Sequence, residues 1–350
     1  VDSATSARGT CHAAPSLVST VQGGAWTREE ASWSSDNGYP RCGTFFDSRQ
    51  WFAGTISQPH TFWGSKTDNY AAFSMGGADD DAVDFTLDTT AVNAIVWMLG
   101  RKVLILGTVA GEHIATGGAD NPITPTNVLV KQETNYGSTG RVVPIHIGNL
   151  VLFPTRSERK LRQFTFSFDE DSYKAPDLLL LADHLTRPIR SGTGRTVTSR
   201  ALADLAYQQE PNSIVWAVRD DGTLLGLTYL PEQNVVAWHR HILGAAAADA
   251  DGRTVPPTDD AVVESVAVIP HPDGDRDQVW VSVARTIQGQ VRRYIEYFDD
   301  VGLNYDALYT DSSLTSSGLG TTTMTPSAVS GTGRTFTAGA AFFVIASDTG

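Results

Sequence analysis

Two histidines at alternate positions, His239 and His241 in the run Trp238-His239-Arg240-His241, have the spacing that most directly suggests chemistry. In an extended strand, positions i and i+2 share a face, so the two imidazoles point the same way and make half of a metal site. No further ligands stand nearby in the sequence, and a hydrogen-bonding or stacking role on an outer strand is the favoured reading. Asp79-Asp80-Asp81 with Asp84, and Asp249-Ala250-Asp251-Gly252, superficially resemble calcium loops. The second lacks the spaced oxygen ligands and the bidentate Glu that close such a loop, and both read as solvated loop acids. Gly137–Gly140 (GSTG) and Gly192–Arg195 (GTGR) are followed by no helical pattern, so neither reads as a phosphate loop. A Gly-x-Ser-x-Gly nucleophile elbow is absent. The expectation is therefore a chain with no catalytic residues, no cofactor and no resident metal.

The elements that must position these residues are strands. Hydrophobic residues make up 41% of the 350, mean hydropathy is −0.16, and no apolar run approaches the length of a membrane span. The formal charge of −13 argues against a protein that grips phosphate backbones, yet permits one past which nucleic acid slides. Solubility alone is the plainer account of that charge. Two cysteines, Cys11 and Cys42, are too few for a disulfide framework and lack a metal spacing. They read as ordinary thiols, with a Cys11–Cys42 bridge left open. The chain begins at Val1 without an initiator Met or a signal pattern, which suggests a piece of a longer polypeptide.

Short runs of Val, Ile, Leu, Trp and Phe recur between Gly, Asn, Asp and Pro. Five similar units emerge, with second strands at Trp51–Gly54, Val103–Gly107, Leu150–Phe153, Ile214–Val218 and Val279–Val283. In the fourth unit the strands read Ala206–Gln209, Ile214–Val218, Thr223–Leu230 and Val235–His241, with a hairpin signal at Asp221-Gly222. The fifth repeats the pattern over Val262–Ile269, Gln278–Arg285 and Val291–Phe298. The fold class predicted is all-β: a β-propeller of about five or more four-stranded units, after a short irregular N-terminal segment and before the start of a small C-terminal β module. The boundaries are 1–38, 39–305 and 306–350. Lys174–Leu185 is the best helix candidate, with Pro176 and Asp177 suiting a first turn. Residues 190–200 and 244–258 read as excursions between units, the places where repeat proteins carry contacts. Trp51, Trp63, Trp97, Trp216 and Trp280 read as packing residues rather than as a sugar platform.

Five ordered segments resemble one family. They are Tyr39–Ser65 (YPRCGTFFDSRQWFAGTISQPHTFWGS), Ile123–Ser138, Arg159–Leu185, Leu205–His241 and Val263–Phe298, collinear with the nozzle, or tail tubular B, proteins of short-tailed bacteriophages. Gly331–Ala346 resembles the small β module that follows the propeller in longer members. The resemblance implies a virion structural protein of the tail, assembled in the host cytoplasm into a ring of six copies around the DNA exit channel. Its implied partners are other copies of itself, the adaptor or head-to-tail connector above, fibre or tip proteins below, and genomic DNA in transient, non-specific passage, with no membrane insertion by this chain. The family carries no catalytic residue to transfer. Expected interface positions are the charged residues of the excursions: Arg190, Arg195, Arg200, Asp249, Arg253 and Asp259. Two alternatives stand beside this reading, a propeller glycosidase of sialidase type and a carbohydrate-binding propeller. Ser34-Ser35-Asp36-Asn37-Gly38 matches the front half of the sialidase Ser-x-Asp-x-Gly turn, although Cys42 occupies the place of its Trp.

Overall fold

A computed structural model of the chain describes residues 33–88, 94–118, 121–190, 197–241, 243, 247–248, 254–255, 261–287, 290–298, 324–326 and 336–338. The chain divides into two compact units, Val1–Gly140 and Arg141–Gly350. This division falls inside the stretch 39–305 that the sequence reads as one domain.

The first unit holds two antiparallel four-stranded meanders, β1(Cys42–Phe46) to β4(Val83–Thr86) through β2(Arg49–Ala53) and β3(Thr61–Gly64), and β5(Ile95–Gly100) to β8(Leu129–Thr134) through β6(Leu104–Thr108) and β7(Glu112–Thr116). In the second unit, β9(Ile145–Ile147), β10(Leu150–Pro154), β11(Leu161–Ser167) and β12(Ser172–Lys174) make the third sheet. A hairpin of β13(Ile189–Arg190) and β14(Val197–Thr198) follows. The fourth sheet is β15(Leu202–Gln208), β16(Ile214–Arg219), β17(Leu224–Leu230) and β18(Val235–His241). The pair β19(Ala247–Ala248) and β20(Thr254–Val255) leads to the fifth sheet. Among the described residues that sheet has three strands, β21(Val262–Pro270), β22(Asp277–Ile287) and β23(Gln290–Phe298). A last pair joins β24(Met324–Pro326) to β25(Phe336–Ala338).

Each expected second strand is the second strand of its sheet: β2, β6, β10, β16 and β22. The physical reason is visible in burial. Leu104-Ile105-Leu106-Gly107-Thr108 is buried at every position, as a strand covered on both faces must be. Both expected excursions contain a short hairpin, β13–β14 and β19–β20. Trp51, Trp63, Trp97 and Trp216 are buried and Trp280 is half-buried, which suits packing. Two of the buried aromatic contacts need a bare neighbour. An added Cβ on Gly107 would lie 1.9 Å from the Trp97 ring, its ladder partner, and one on Gly226 would lie 2.0 Å from the His239 ring opposite.

Successive sheets within each unit meet by one repeated device. The turn after a second strand offers a carbonyl to the first strand of the next sheet: Ile95 N–H donates to Pro59 O (2.9 Å), Leu202 N–H to Glu158 O (2.7 Å) and Val263 N–H to Gly222 O (3.0 Å). Those turns share a residue type as well. Thr55, Thr108 and Thr155, at or just past the ends of β2, β6 and β10, are buried; Arg219 takes that place after β16. Close approach at these seams requires glycine. Gly222 has φ +81° and its missing Cβ would strike Val262; Gly54 has φ +69° and lies against the Ile95 carbonyl. First strands of successive sheets lie beside one another, β1 with β5, β9 with β15 and β15 with β21.

The helix expected over Lys174–Leu185 is not formed. Only Asp183–Leu185 makes a single 3₁₀ turn. Residues 176–178 instead extend the outer edge of the third sheet, where Gln163 N–H donates to Pro176 O (3.1 Å) and Leu178 N–H to Leu161 O (2.9 Å). The Asp177 carboxylate then accepts from Leu179 N–H at 3.0 Å, starting an Asx turn instead of a helix. Leu178, Leu179 and Leu185 fill the wedge between the third and fourth sheets, packing with Leu152, Leu205, Leu227 and Tyr229. Tertiary packing of Leu178, Leu179 and Leu185 outweighs local helical preference here. The N-terminal segment before residue 33 and the run Ala340–Ala346 lie outside the described residues.

Candidate functional site

The polar groups that cluster in the second unit sit at the turns joining successive sheets. Arg219 closes β16 with its side chain 3% exposed, beside Asp221 at 6%. Its Nε donates to Asp221 Oδ1 (2.9 Å), Nη2 donates to Asp221 Oδ2, and Nη1 donates to the Leu185 carbonyl (2.6 Å). Asp221 also accepts from Thr223 N–H at 3.2 Å. Arg200, an expected interface residue, lies in the same knot with its Nε 3.6 Å from Asp221 and its side chain 12% exposed. Such a fork holds the 2–3 hairpin of the fourth sheet onto the wedge segment from the third. Arg190 belongs to strand β13, and Arg195, Asp249, Arg253 and Asp259 lie outside the described residues.

In the first unit a comparable knot organises the acidic loop. The Arg49 guanidinium donates to the carbonyls of Ser65 (2.5 Å), Asp81 (2.6 Å) and Asp79 (2.6 Å). Lys66 pairs with Asp81 at 2.6 Å, and this bond holds the half-buried Asp81 carboxyl below its usual range. The loop that looks like a calcium site thus carries its own cations. Among the described residues no group of three or more His, Cys, Asp or Glu is placed to hold a metal ion.

Glu112, fully buried at the start of β7, accepts from Ser138 Oγ at 2.8 Å and from Thr134 Oγ1. This places the GSTG run: its serine holds a buried carboxylate. Nothing in the local pattern reveals it, because Ser138 lies twenty-six residues from Glu112. The Ser34–Gly38 run forms a tight turn in which Asn37 N–H donates to Ser34 Oγ (3.0 Å), so serine, and not Asp36, accepts there. Cys42 is a free thiol.

His239 and His241 do share a face. Their rings meet directly, Nδ1 of His239 lying 2.7 Å from Nε2 of His241. Trp216 stacks on Phe298 of the fifth sheet at 5.4 Å, and His241 packs on Trp216 at 4.8 Å. This is the stacking role the sequence favoured.

Exposed apolar groups gather elsewhere. In the third sheet an aromatic ladder climbs from buried Phe164 through Tyr173 and Phe166 to Phe168, 90% exposed at the hairpin tip beside Asp169, Glu170 and Asp171. Leu181 in the wedge turn is 96% exposed. The outward face of β23 shows Val291, Ile295 and Tyr297. Surfaces of this kind suit contact with other proteins.

No family model matches the chain, and no curated protein sequence matches it. Similar solved structures include an auxiliary nutrient binding protein from Bacteroides thetaiotaomicron, with 7% identity, 74% of this chain and 57% of that one covered, and a TM-score of 0.36. The periplasmic gluconolactonase of Pseudomonas aeruginosa has 10% identity, 75% and 73% covered, and a TM-score of 0.36. The tail fiber of Staphylococcus aureus phage P68 has 11% identity, 76% and 51% covered, and a TM-score of 0.22. The chain spans little more than half the length of the first and the last of these. At such scores the likeness assigns it to none of them.

Proposed function

We propose that this chain is a structural subunit of a bacteriophage tail, one of several copies that form a ring-shaped nozzle around the DNA exit channel, with its sheets set radially as a β-propeller. The observation that carries the reading is the repeated seam. A turn carbonyl meets a first-strand N–H at 2.9, 2.7 and 3.0 Å between the first and second, the third and fourth, and the fourth and fifth sheets. Repetition of one junction, with first strands side by side, is how a radial array of meanders is built. Such an array is a stiff wall, and in this role the chain catalyses nothing.

The five collinear segments that resemble nozzle proteins fall on the sheets themselves, and the −13 charge suits a conduit that does not retain phosphates. The β13–β14 and β19–β20 hairpins supply contacts to adaptor and fibre proteins in this reading. Each subunit meets its neighbour by two different faces, so the ring must close. Electron cryomicroscopy of the intact particle tests the proposal. The expected result is several rotationally related copies flanked by connector and fibre proteins. A lone monomer enclosing a small-molecule ligand would overturn it.

A further inference from the structure

We infer that the His239–His241 pair is a proton-sensitive latch between the fourth and fifth sheets: neutral, it holds the seam closed, and protonation releases it. The inference rests on where the pair sits. His241 touches both sheets, with its ring 4.8 Å from Trp216 of β16 and 6.2 Å from Phe298 of β23. His239 lies on the bare backbone of Gly226, whose missing Cβ would come within 2.0 Å of the ring, so it has no room to retreat inward. At 2.7 Å one ring nitrogen must donate and the other accept, and two imidazolium rings cannot share that contact.

Among the described residues, the carboxylates on the seam already have partners: Asp204 of the first strand, opposite Val218, accepts from Val266 N–H at 3.0 Å, and β21 presents Val263, Val266 and Val268 to the same core. On β18 itself Arg240 alternates to the other face. The third strand offers Gly226 and Thr228, whose hydroxyl is 3.4 Å from His239 Nε2. The second strand offers Trp216, whose indole N–H is given to Gln208 at 3.0 Å. On the fifth sheet, Arg292, Tyr294 and Glu296 share the face of Phe298; Arg292 stands opposite Arg285 in the ladder, and Arg285 grips Glu296 at 2.7 and 2.8 Å. Burial lowers the pKa of both rings, that of His241 to about 4, with the neighbouring His239 adding to the effect. A histidine whose folded value is depressed contributes stability that is whole above its ordinary value of about 6.5 and is lost as pH falls toward the folded value. Acid therefore favours a state in which His241 has swung out and uncovered Phe298.

Hydrogen exchange of the whole chain, corrected for the intrinsic pH dependence, reads the seam directly. Between pH 7.5 and pH 5, the linkage between about 6.5 and about 4 raises seam opening by about thirtyfold, in peptides from β22 and β23. His241→Phe keeps the aromatic packing and removes the titration, so its exchange loses that extra rise. Should that variant fail to fold, histidine ring-proton NMR of the unaltered chain, with His239→Gln for assignment, decides the matter. The latch requires at least one ring of the pair to remain neutral well below pH 6. An equal rise in His241→Phe, or ordinary titration of both rings, overturns it. Neither outcome depends on what the chain assembles into.

Discussion

Replacing Arg219 with Met tests whether the buried fork, and not apolar packing alone, ties the fourth sheet's hairpin to the leucine wedge. The substitution keeps much of the side-chain volume while removing four donated hydrogen bonds, to Asp221 (two), Thr223 and Leu185. Breaking one partner of a buried ion pair costs about 3–5 kcal/mol, because the other charge stays behind. Arg200, 3.6 Å from Asp221, offsets part of this, while the Leu185 carbonyl loses a donor worth about 1 kcal/mol. The expected loss is therefore about 3 kcal/mol. Urea unfolding followed by circular dichroism would show a midpoint lowered by about 1 M or more. Neutralising the abandoned carboxylate as well, in Arg219→Met with Asp221→Asn, keeps the Thr223 N–H bond and should recover about 1–3 kcal/mol. A loss below about 1 kcal/mol, the range of a solvent-exposed pair, would refute the reasoning. So would strict additivity of the two substitutions.

His113, 2% exposed on β7, has no partner in good hydrogen-bond geometry at either ring nitrogen among the described residues, only the Gly111 backbone being near enough to oppose the effect of burial. His113→Leu should therefore stabilise the first unit by about 1–2 kcal/mol in thermal melts. The gain should grow below pH 6.5, since burial depresses this histidine's pKa and the native chain sheds that stability as pH falls. Gly107→Ala puts a methyl 1.9 Å from the Trp97 ring, and should lower stability by about 1–3 kcal/mol with a change in tryptophan fluorescence. The Cys42 thiol, pushed up to about 12 by burial, should resist iodoacetamide at pH 8 in the folded chain and react readily in urea, as mass spectrometry of the Cys42 peptide would show.

How much could be read in advance divides along a physical line. The second strands β6, β10 and β16 were legible because a strand buried on both faces must be apolar almost without interruption, whereas β2 and β22 alternate buried and half-buried positions and show the two-residue period instead. The hairpin at Asp221-Gly222 was legible for a similar reason, its positive φ being confined to one glycine. The shared face of His239 and His241 followed from strand period alone. Lys174–Leu185 misled because its leucines satisfy helical spacing and wedge filling equally well. Only the neighbouring sheets, with Leu161 and Gln163 presenting free edge groups, choose between them.

By itself the sequence determined the local alphabet of this protein: where strands run, where they turn, and which positions are apolar. The tertiary structure decided which distant groups meet. Arg219 with Leu185, Glu112 with Ser138, and His241 with Phe298 are pairs separated by between twenty-six and fifty-seven residues. Chain connectivity sets no distance across such a gap. It is the packing of one sheet on the next that brings the partners within reach, and with them the charges and protons on which stability depends.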